Sequence, residues 1–289
     1  MDYKPASIPL AVYHEIVTFL KRNKKVEHFL RILAVPVFRY WMWKWDRDEQ
    51  KRKNGYIDPR YTWIKDIKDK YEGKRCFVVG AGPSLTMEDL DAIKDEYSFG
   101  LNALILSLDK TLWRPTFYGI CDKYAYEIFH HQVEAHPELN VFVSDEVNNL
   151  FALPEWIKVF PTNKFDYNIC RTKSKLSKIA FSDDLYAAVY SAYSIVFALM
   201  QFAVYMGFKE IYLLGCDCNY DQEKTHFIEF GHKIAVKLDD GIKFIHVHGE
   251  FKKFADSHGV KVINCTRGGM LEVYPRMQLE DVLASEPQH

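Results

Sequence analysis

The sequence predicts an α/β fold, a mostly parallel sheet flanked by helices, preceded by an N-terminal helical arm. Three observations carry this. From Lys74 onward, short apolar runs of strand length alternate with amphipathic, helix-length stretches. Strands separated by helices in this way pair in parallel. The runs stop at turn and capping residues, as in "RCFVVGAGPSLTMEDL". Finally, "KEIYLLGCDCNY" is apolar at every position from Ile211 to Leu214, the pattern of a strand covered on both faces.

Each element has its own signal. "RCFVVG" reads as a buried strand and "TMEDLDAIK" as a helix with Met87, Leu90 and Ile93 on one face. "YSFGLNALIL", "PTFYGICD", "LNVFVSDEV" and "WIKVFPTN" supply four further strands. The longest helical pattern, "LYAAVYSAYSIVFALMQFAVYMGF", ends at Gly207, a natural C-terminal cap. "KEIYLLGCDCNY" is the central strand, "FKKFADSHG" a helix ending at Gly259, and "VKVINCT" the last strand.

The composition bounds the function. The 289 residues, 48% hydrophobic and 15% aromatic, suffice for one large domain or a domain with an appendage. A net charge of −1 gives no global field toward nucleic acid, so no nucleic-acid partner is expected. The cysteines Cys76, Cys121, Cys170, Cys216, Cys218 and Cys265 form no CxxC pair and read as reduced thiols of a cytoplasmic protein. Neither a secretory leader nor a spanning apolar run is visible.

The composition shifts at residue 74, which divides the chain into an arm, 1–73, and a catalytic domain, 74–289. In the arm, "FLKRNKKVEHFLRILAVPVFRYWMWKWDRDEQKRK" mixes Trp41, Trp43 and Trp45 with many Lys and Arg. Residues 15–53 suit peripheral contact with the anionic inner face of a membrane. The other reading is packing on the arm's own domain or on a second subunit in a homo-oligomer.

Ligands of open parallel sheets bind at the carboxyl ends of strands. The residues found there are Gly80, Ala81, Gly82, Pro83 and Ser84 after the first strand, Asn102 after the second and Asp122 after the third. Asp217, Asn219 and Tyr220 follow the central strand, and Asn264, Thr266 and Arg267 the last. Gly80 and Gly82 allow close backbone approach, and Ser84 is placed to cap the next helix, whose N–H groups favour an anion. The motif is neither G-x-G-x-x-G, since Leu85 stands at the third glycine, nor a P-loop. A plain tight turn before a capped helix fits it as well. Asp217 with Asn219 has the spacing of a metal-binding pair, or Asp217 bonds a neighbouring loop amide. His226, His232, His246 and His248 lie close in sequence. His246 and His248 share a face if extended, and a neutral histidine can accept a proton from a sugar hydroxyl. No third metal ligand stands at familiar spacing, so no metal site is expected.

"VVGAGPSL", "GFKEIYLLGCDCNY" and "VINCTRGGMLEVYPRMQLEDVL" together resemble the MptE-like, 6-hydroxymethylpterin diphosphokinase-like domain family, over about residues 74–283. The core is also similar to the bacterial sialyltransferases of glycosyltransferase family 42 and to the motility accessory factor glycosyltransferases. The sialyltransferase resemblance implies a Rossmann-like fold that takes a CMP-activated sugar and transfers it with inversion, with no cofactor required. It implies that Gly80, Ala81, Gly82, Pro83 and Ser84 surround the phosphate and ribose. Asn102 then contacts the nucleotide, and Asp217 and Tyr220 the nucleotide and phosphate. His248, with His246 as fallback, is the implied general base. Where those sialyltransferases have asparagine between the glycines, this chain has Ala81. Where many MptE-like proteins have Gly-Gly-Ser/Thr before the long helix, it has Ala192-Tyr193-Ser194, leaving Ser194 to receive an anion.

Two activities follow. In the first, an acidic sugar of nonulosonate or Kdo type moves from a CMP donor to a surface-polysaccharide or lipid-linked glycan acceptor. In the second, pyrophosphate moves from ATP to a hydroxymethyl pterin, with magnesium held by carboxylates among Asp122, Asp217, Asp239 and Asp240. A third reading is a non-catalytic partner that keeps a ligand-binding fold.

Overall fold

A computed structural model describes residues 40, 42–163, 179–220, 226–228 and 238–285. A helix over residues 42–53 (α1) is followed by a 3-10 turn at Pro59–Tyr61 and a short helix, α2 (Trp63–Asp66). Then come β1 (Arg75–Val79), α3 (Met87–Ala92), β2 (Ser98–Leu101), a 3-10 stretch Asn102–Lys110, β3 (Phe117–Ile120), α4 (Lys123–Glu134), β4 (Val141–Ser144), α5 (Asp145–Leu150) and β5 (Lys158–Phe160). Two short strands, β6 (Thr162–Asn163) and β7 (Val189–Tyr190), pair with each other in parallel. The chain continues through α6 (Ile195–Tyr205), β8 (Glu210–Leu214), α7 (Leu238–Ser257), β9 (Lys261–Asn264) and α8 (Leu279–Ala284).

The main sheet has the order β5-β4-β3-β2-β1-β8-β9, and every pairing is parallel. β1 is buried at all five positions, as a strand covered on both faces must be. The strand order reverses between β1 and β8, which is where a doubly wound sheet opens its ligand crevice. α6 packs on β1, β2 and β3, and nearly all of its residues are buried. That explains its apolar character all round.

Two elements differ from expectation. The apolar pattern over 185–208 does not form one helix; only Ile195–Tyr205 does. The cause is Gln201, fully buried in α6. Its side-chain oxygen accepts from Ser182 N at 3.0 Å and Tyr190 N at 3.3 Å, and its amide donates to Tyr190 O at 2.7 Å. These bonds satisfy backbone that a helix would have satisfied itself. The second strand, as expected, ends before Asn102, which takes φ 41° and turns the chain into the 3-10 stretch. "FKKFADSHG" is the last part of the long α7, so His246 and His248 are helical rather than extended.

The arm is not separate from residue 74 onward. Tyr61 and Ile64 lie in the main core, 1% and 0% exposed. Trp63 donates from its indole to Val159 O at 2.8 Å, and its ring lies 4.7 Å from Phe142. Tyr71 N and Gly73 N bond to Met206 O and Gly207 O. The composition change at 74 is therefore no structural boundary: residues 57–73 supply core side chains and belong to the domain. Residues 1–39 of the arm lie outside the described residues. Ile64→Ala should lower the unfolding free energy by roughly 2–5 kcal/mol, read as a shifted urea midpoint at unchanged slope. An arm that folds apart would leave the midpoint of the main transition where it is.

Candidate functional site

The carboxyl ends of β1 and β8 carry two turns that lock together. Gly80 N donates to Leu214 O at 2.7 Å and Gly82 N to Gly215 O at 2.9 Å. A Cβ on Gly80 would stand 2.5 Å from Gly215 O, and one on Gly215 would stand 2.5 Å from Gly80 O. A Cβ on Gly82 would meet the Asp217 carboxylate itself. The glycines therefore serve first to seat one turn against the other.

This changes the reading of the bend. Two of its amides already bond to backbone carbonyls, and Pro83 has none. Ser84 does not cap α3. Its Oγ donates to Asp217 Oδ2 at 2.8 Å. Thr86 is the cap, in a capping box with Asp89, and the helix it starts is only six residues long. Burial raises the Asp217 pKa, against the opposing pull of the Ser84 hydrogen bonds and of Arg276. Asp217, 7% exposed, is thus a partly desolvated carboxylate at the base of the crevice.

Asn102 emerges at the same edge. β2 pairs in parallel with β1, Val78 opposite Phe99, and Asn102 is the first residue beyond the carboxyl end of β2. Its backbone is left-handed and its carbonyl accepts from the Tyr118 hydroxyl. Its Oδ1 is buried and accepts no hydrogen bond. A buried acceptor left unpaired costs about 1–3 kcal/mol, and such an atom marks a place where a ligand donor is wanted.

α6 leads directly into β8, so its N-terminus lies at the same edge. Ser194 caps it, with Oγ accepting from Val196 N at 3.3 Å. Ala192 and Tyr193 before it have φ 33° and 73°, left-handed values that glycine adopts more readily. Ser191 Oγ is buried without a partner in this turn. Ser191 was not anticipated from the sequence, where a lone serine beside Ala and Tyr carries no signal.

The other predicted residues divide. Asn219 and Tyr220 are half-buried beyond Asp217; Tyr220 packs 5.8 Å from the Phe244 ring, and burial raises its pKa. Asp122 caps α4 by accepting from Tyr124 N at 2.8 Å and Ala125 N at 3.2 Å, which gives it a structural role. Arg267, from the loop after β9, pairs with Asp89 through two nitrogens and donates to Ser84 O at 3.2 Å, tying that loop over the β1 turn. Arg276 closes the same loop on Thr266 O and Gly268 O, and a cavity of about 420 Å³ opens beside them. Among the described residues, no three His, Cys, Asp or Glu side chains cluster as metal ligands. Cys76, Cys216, Cys218 and Cys265 are buried, and burial raises all four thiol pKa values, so they are inert core residues.

The histidines do not stand together. His246 is exposed on α7 and His248, two positions on, faces the core. His248 is 3% exposed, its Nδ1 lies 3.1 Å from the Tyr274 hydroxyl, and its ring packs 4.6 Å from Phe197. Burial pushes its pKa down to about 3. The general-base assignment to His248 thus meets a side chain walled in by protein. His232 and Asp239's side chain lie outside the described residues. His226 is half-buried at the bend, where Phe227 N donates to Ala81 O at 2.8 Å, and burial lowers its pKa.

Residues 57–223 match the model of the 6-hydroxymethylpterin diphosphokinase MptE-like family. The chain belongs to that family. The match begins in the arm, in keeping with Tyr61 and Ile64 in the core, and it contains the Gly80 turn, Asn102, Ser194 and Asp217. No curated protein matches the chain. One solved structure is similar, the MAf glycosyltransferase from Magnetospirillum magneticum AMB-1, at 17% identity and a TM-score of 0.47. The match covers 79% of this chain and 39% of that one, so the chain spans about two fifths of the length of that protein.

His248 gives the fold an acid-sensitive limb. Its folded pKa lies below the ordinary value of 6.5, so its contribution is fully present above pH 6.5 and is lost as the pH falls toward 3. His248→Gln should flatten this limb, by up to about 1.4 kcal/mol per pH unit, in urea unfolding measured at successive pH values. Parallel curves for the two proteins would show that His248 titrates normally.

Proposed function

We propose that this chain is a glycosyltransferase that takes a CMP-activated acidic sugar, of nonulosonate or Kdo type, and transfers it with inversion to a glycan or lipid-linked acceptor. The observation that carries the reading is the buried, unpartnered Oδ1 of Asn102 at the carboxyl end of β2, the strand that neighbours β1 and its Gly80 turn. It is an acceptor awaiting an N–H or O–H donor, which a cytosine amine or a ribose hydroxyl supplies. Ser84, Asp217 and the Ser191–Ser194 turn add polar groups at the same edge. Tyr220 and the amides of that turn would bind the phosphate of the leaving CMP and stabilise its developing charge.

In the reaction, an acceptor hydroxyl oxygen attacks the anomeric carbon as the bond from that carbon to the CMP oxygen breaks. CMP leaves with the electron pair, and the acceptor proton passes to a base. We assign the base to His226 rather than His248. His226 sits at the mouth of the bend, and its lowered pKa keeps the imidazole neutral at physiological pH.

The family's name favours a second reading, transfer of pyrophosphate from ATP to a pterin. That chemistry uses magnesium to neutralise the phosphates. The described carboxylates fit it poorly: Asp122 is committed to a helix cap, Asp217 is bonded to Ser84 with its pKa raised by burial, and Asp240 pairs with Lys243 on α7 at 2.8 Å.

A thermal-shift panel separates the two. CMP and CMP-sugars at about 100 times Kd should stabilise by about 2.7 kcal/mol, with ATP and magnesium inactive and Asn102→Leu abolishing the shift. If no cytidine nucleotide shifts the protein, the reading fails; a magnesium-dependent shift with ATP transfers it to the kinase. With an active donor in hand, His226→Ala should lower kcat by roughly 10²–10⁴ while CMP binding survives, and His248→Gln should leave kcat near that of the parent. Equal losses in both variants would remove His226 from the role.

A further inference from the structure

α1 has two unlike faces. Its inner face is clamped to the domain. Glu49, 3% exposed, accepts from Asn163 Nδ2 at 3.0 Å, the Tyr190 hydroxyl at 3.0 Å and Lys53 Nζ at 2.6 Å. Arg52 Nε donates to Ala187 O at 2.7 Å. Burial opposes the charge on Glu49, yet these donors outweigh it and hold the carboxyl below its ordinary pKa. A helix fixed in this way cannot roll to hide its other face.

The other face carries Tyr40, Trp43, Lys44, Arg47 and Lys51, spaced so that one stripe collects them. Tyr40 and Trp43 are 56% and 53% exposed, their rings 6.0 Å apart, and the Arg47 guanidinium lies 5.0 Å from the Trp43 ring centroid. Tyr56 and Ile57, just beyond the helix, are exposed as well. Charge is segregated on the same stretch. Residues 21–53 carry eleven Lys and Arg against four Asp and Glu, in a chain whose total is −1, so the remainder is net acidic.

We infer that the Tyr40–Lys51 face of α1 docks the protein on an anionic lipid surface. Indole and phenol rings are favoured at the headgroup level, and each nearby Lys or Arg adds attraction to a negative leaflet. Among the described residues no helix is long and apolar enough to cross a membrane, and a helix with one aromatic, basic face lies in the plane of the interface. The acidic remainder of the chain orients the approach, because it is repelled where the stripe is attracted. This inference stands apart from the sugar-transfer reading, since it uses none of the crevice residues.

The test is co-sedimentation of the full chain with vesicles of phosphatidylcholine alone and of phosphatidylcholine mixed with phosphatidylglycerol. Binding should appear with the mixed vesicles and fall as salt rises. Lys44→Glu with Arg47→Glu should weaken it roughly tenfold or more, Trp43→Ala should weaken it at constant charge, and Leu112→Ala, at an exposed site off the arm, should not. Urea unfolding confirms that each variant is folded. Absence of binding to mixed vesicles, equal binding to neutral ones, or indifference to the stripe variants each overturns the inference. So does sedimentation equilibrium showing that Trp43→Ala instead dissociates an oligomer, or retention of a labelled oligonucleotide in place of vesicles.

Discussion

The structure turns on the contact between two strand-end turns. The backbones of Gly80 and Gly215 approach until neither could carry a side chain, and Gly82 lies against the Asp217 carboxylate. The two strands that flank the switch point are thereby held together beyond the last rung of the sheet. Ser84 reaches Asp217 because the turns meet, and Asn102 emerges at the same edge because β2 runs parallel to β1. A close-packed backbone contact of this kind leaves no slack, so the crevice is rigid at its base.

Above the rigid base, the edge holds groups the protein does not satisfy. Asn102 Oδ1 and Ser191 Oγ are buried acceptors without donors, and Asn102, Ala192 and Tyr193 have left-handed backbones that ordinary side chains disfavour. Strain and unpaired polar atoms collect where function is preferred to stability. In the same region the histidines sort by environment. His226 is half-buried beside the β1 bend, whereas His248 has become part of the packing between α6, α7 and Tyr274.

The arm shows how one helix serves two ends. Glu49 and Arg52 bind it to the strand pair and turn that precede Ser191, and its outer stripe remains in solvent. The helix is thereby tied to the backbone that leads into the Ser191 turn. The physical link is a buried carboxylate with three donors, which is strongly destabilised if any donor is removed.

Much of the architecture was legible in the sequence. The apolar runs of β1, β3, β4, β5, β8 and β9 have the length and composition of buried strands, and Gly207 after α6 is a cap that local stereochemistry requires. The set of strand-end residues followed from the alternation of elements, because a parallel sheet places those ends on one edge whatever the strand order. Tertiary structure alone decided the rest. It moved the cap from Ser84 to Thr86 by bringing Asp217 within reach, shortened the 185–208 helix by pairing Val189–Tyr190 with the distant β6, and buried His248 by closing α7 onto Phe197. Periodicity and capping depend on neighbours within a few residues and can be read along the chain. Hydrogen-bond partners and burial depend on segments far apart in sequence, and they exist only once the sheet has assembled.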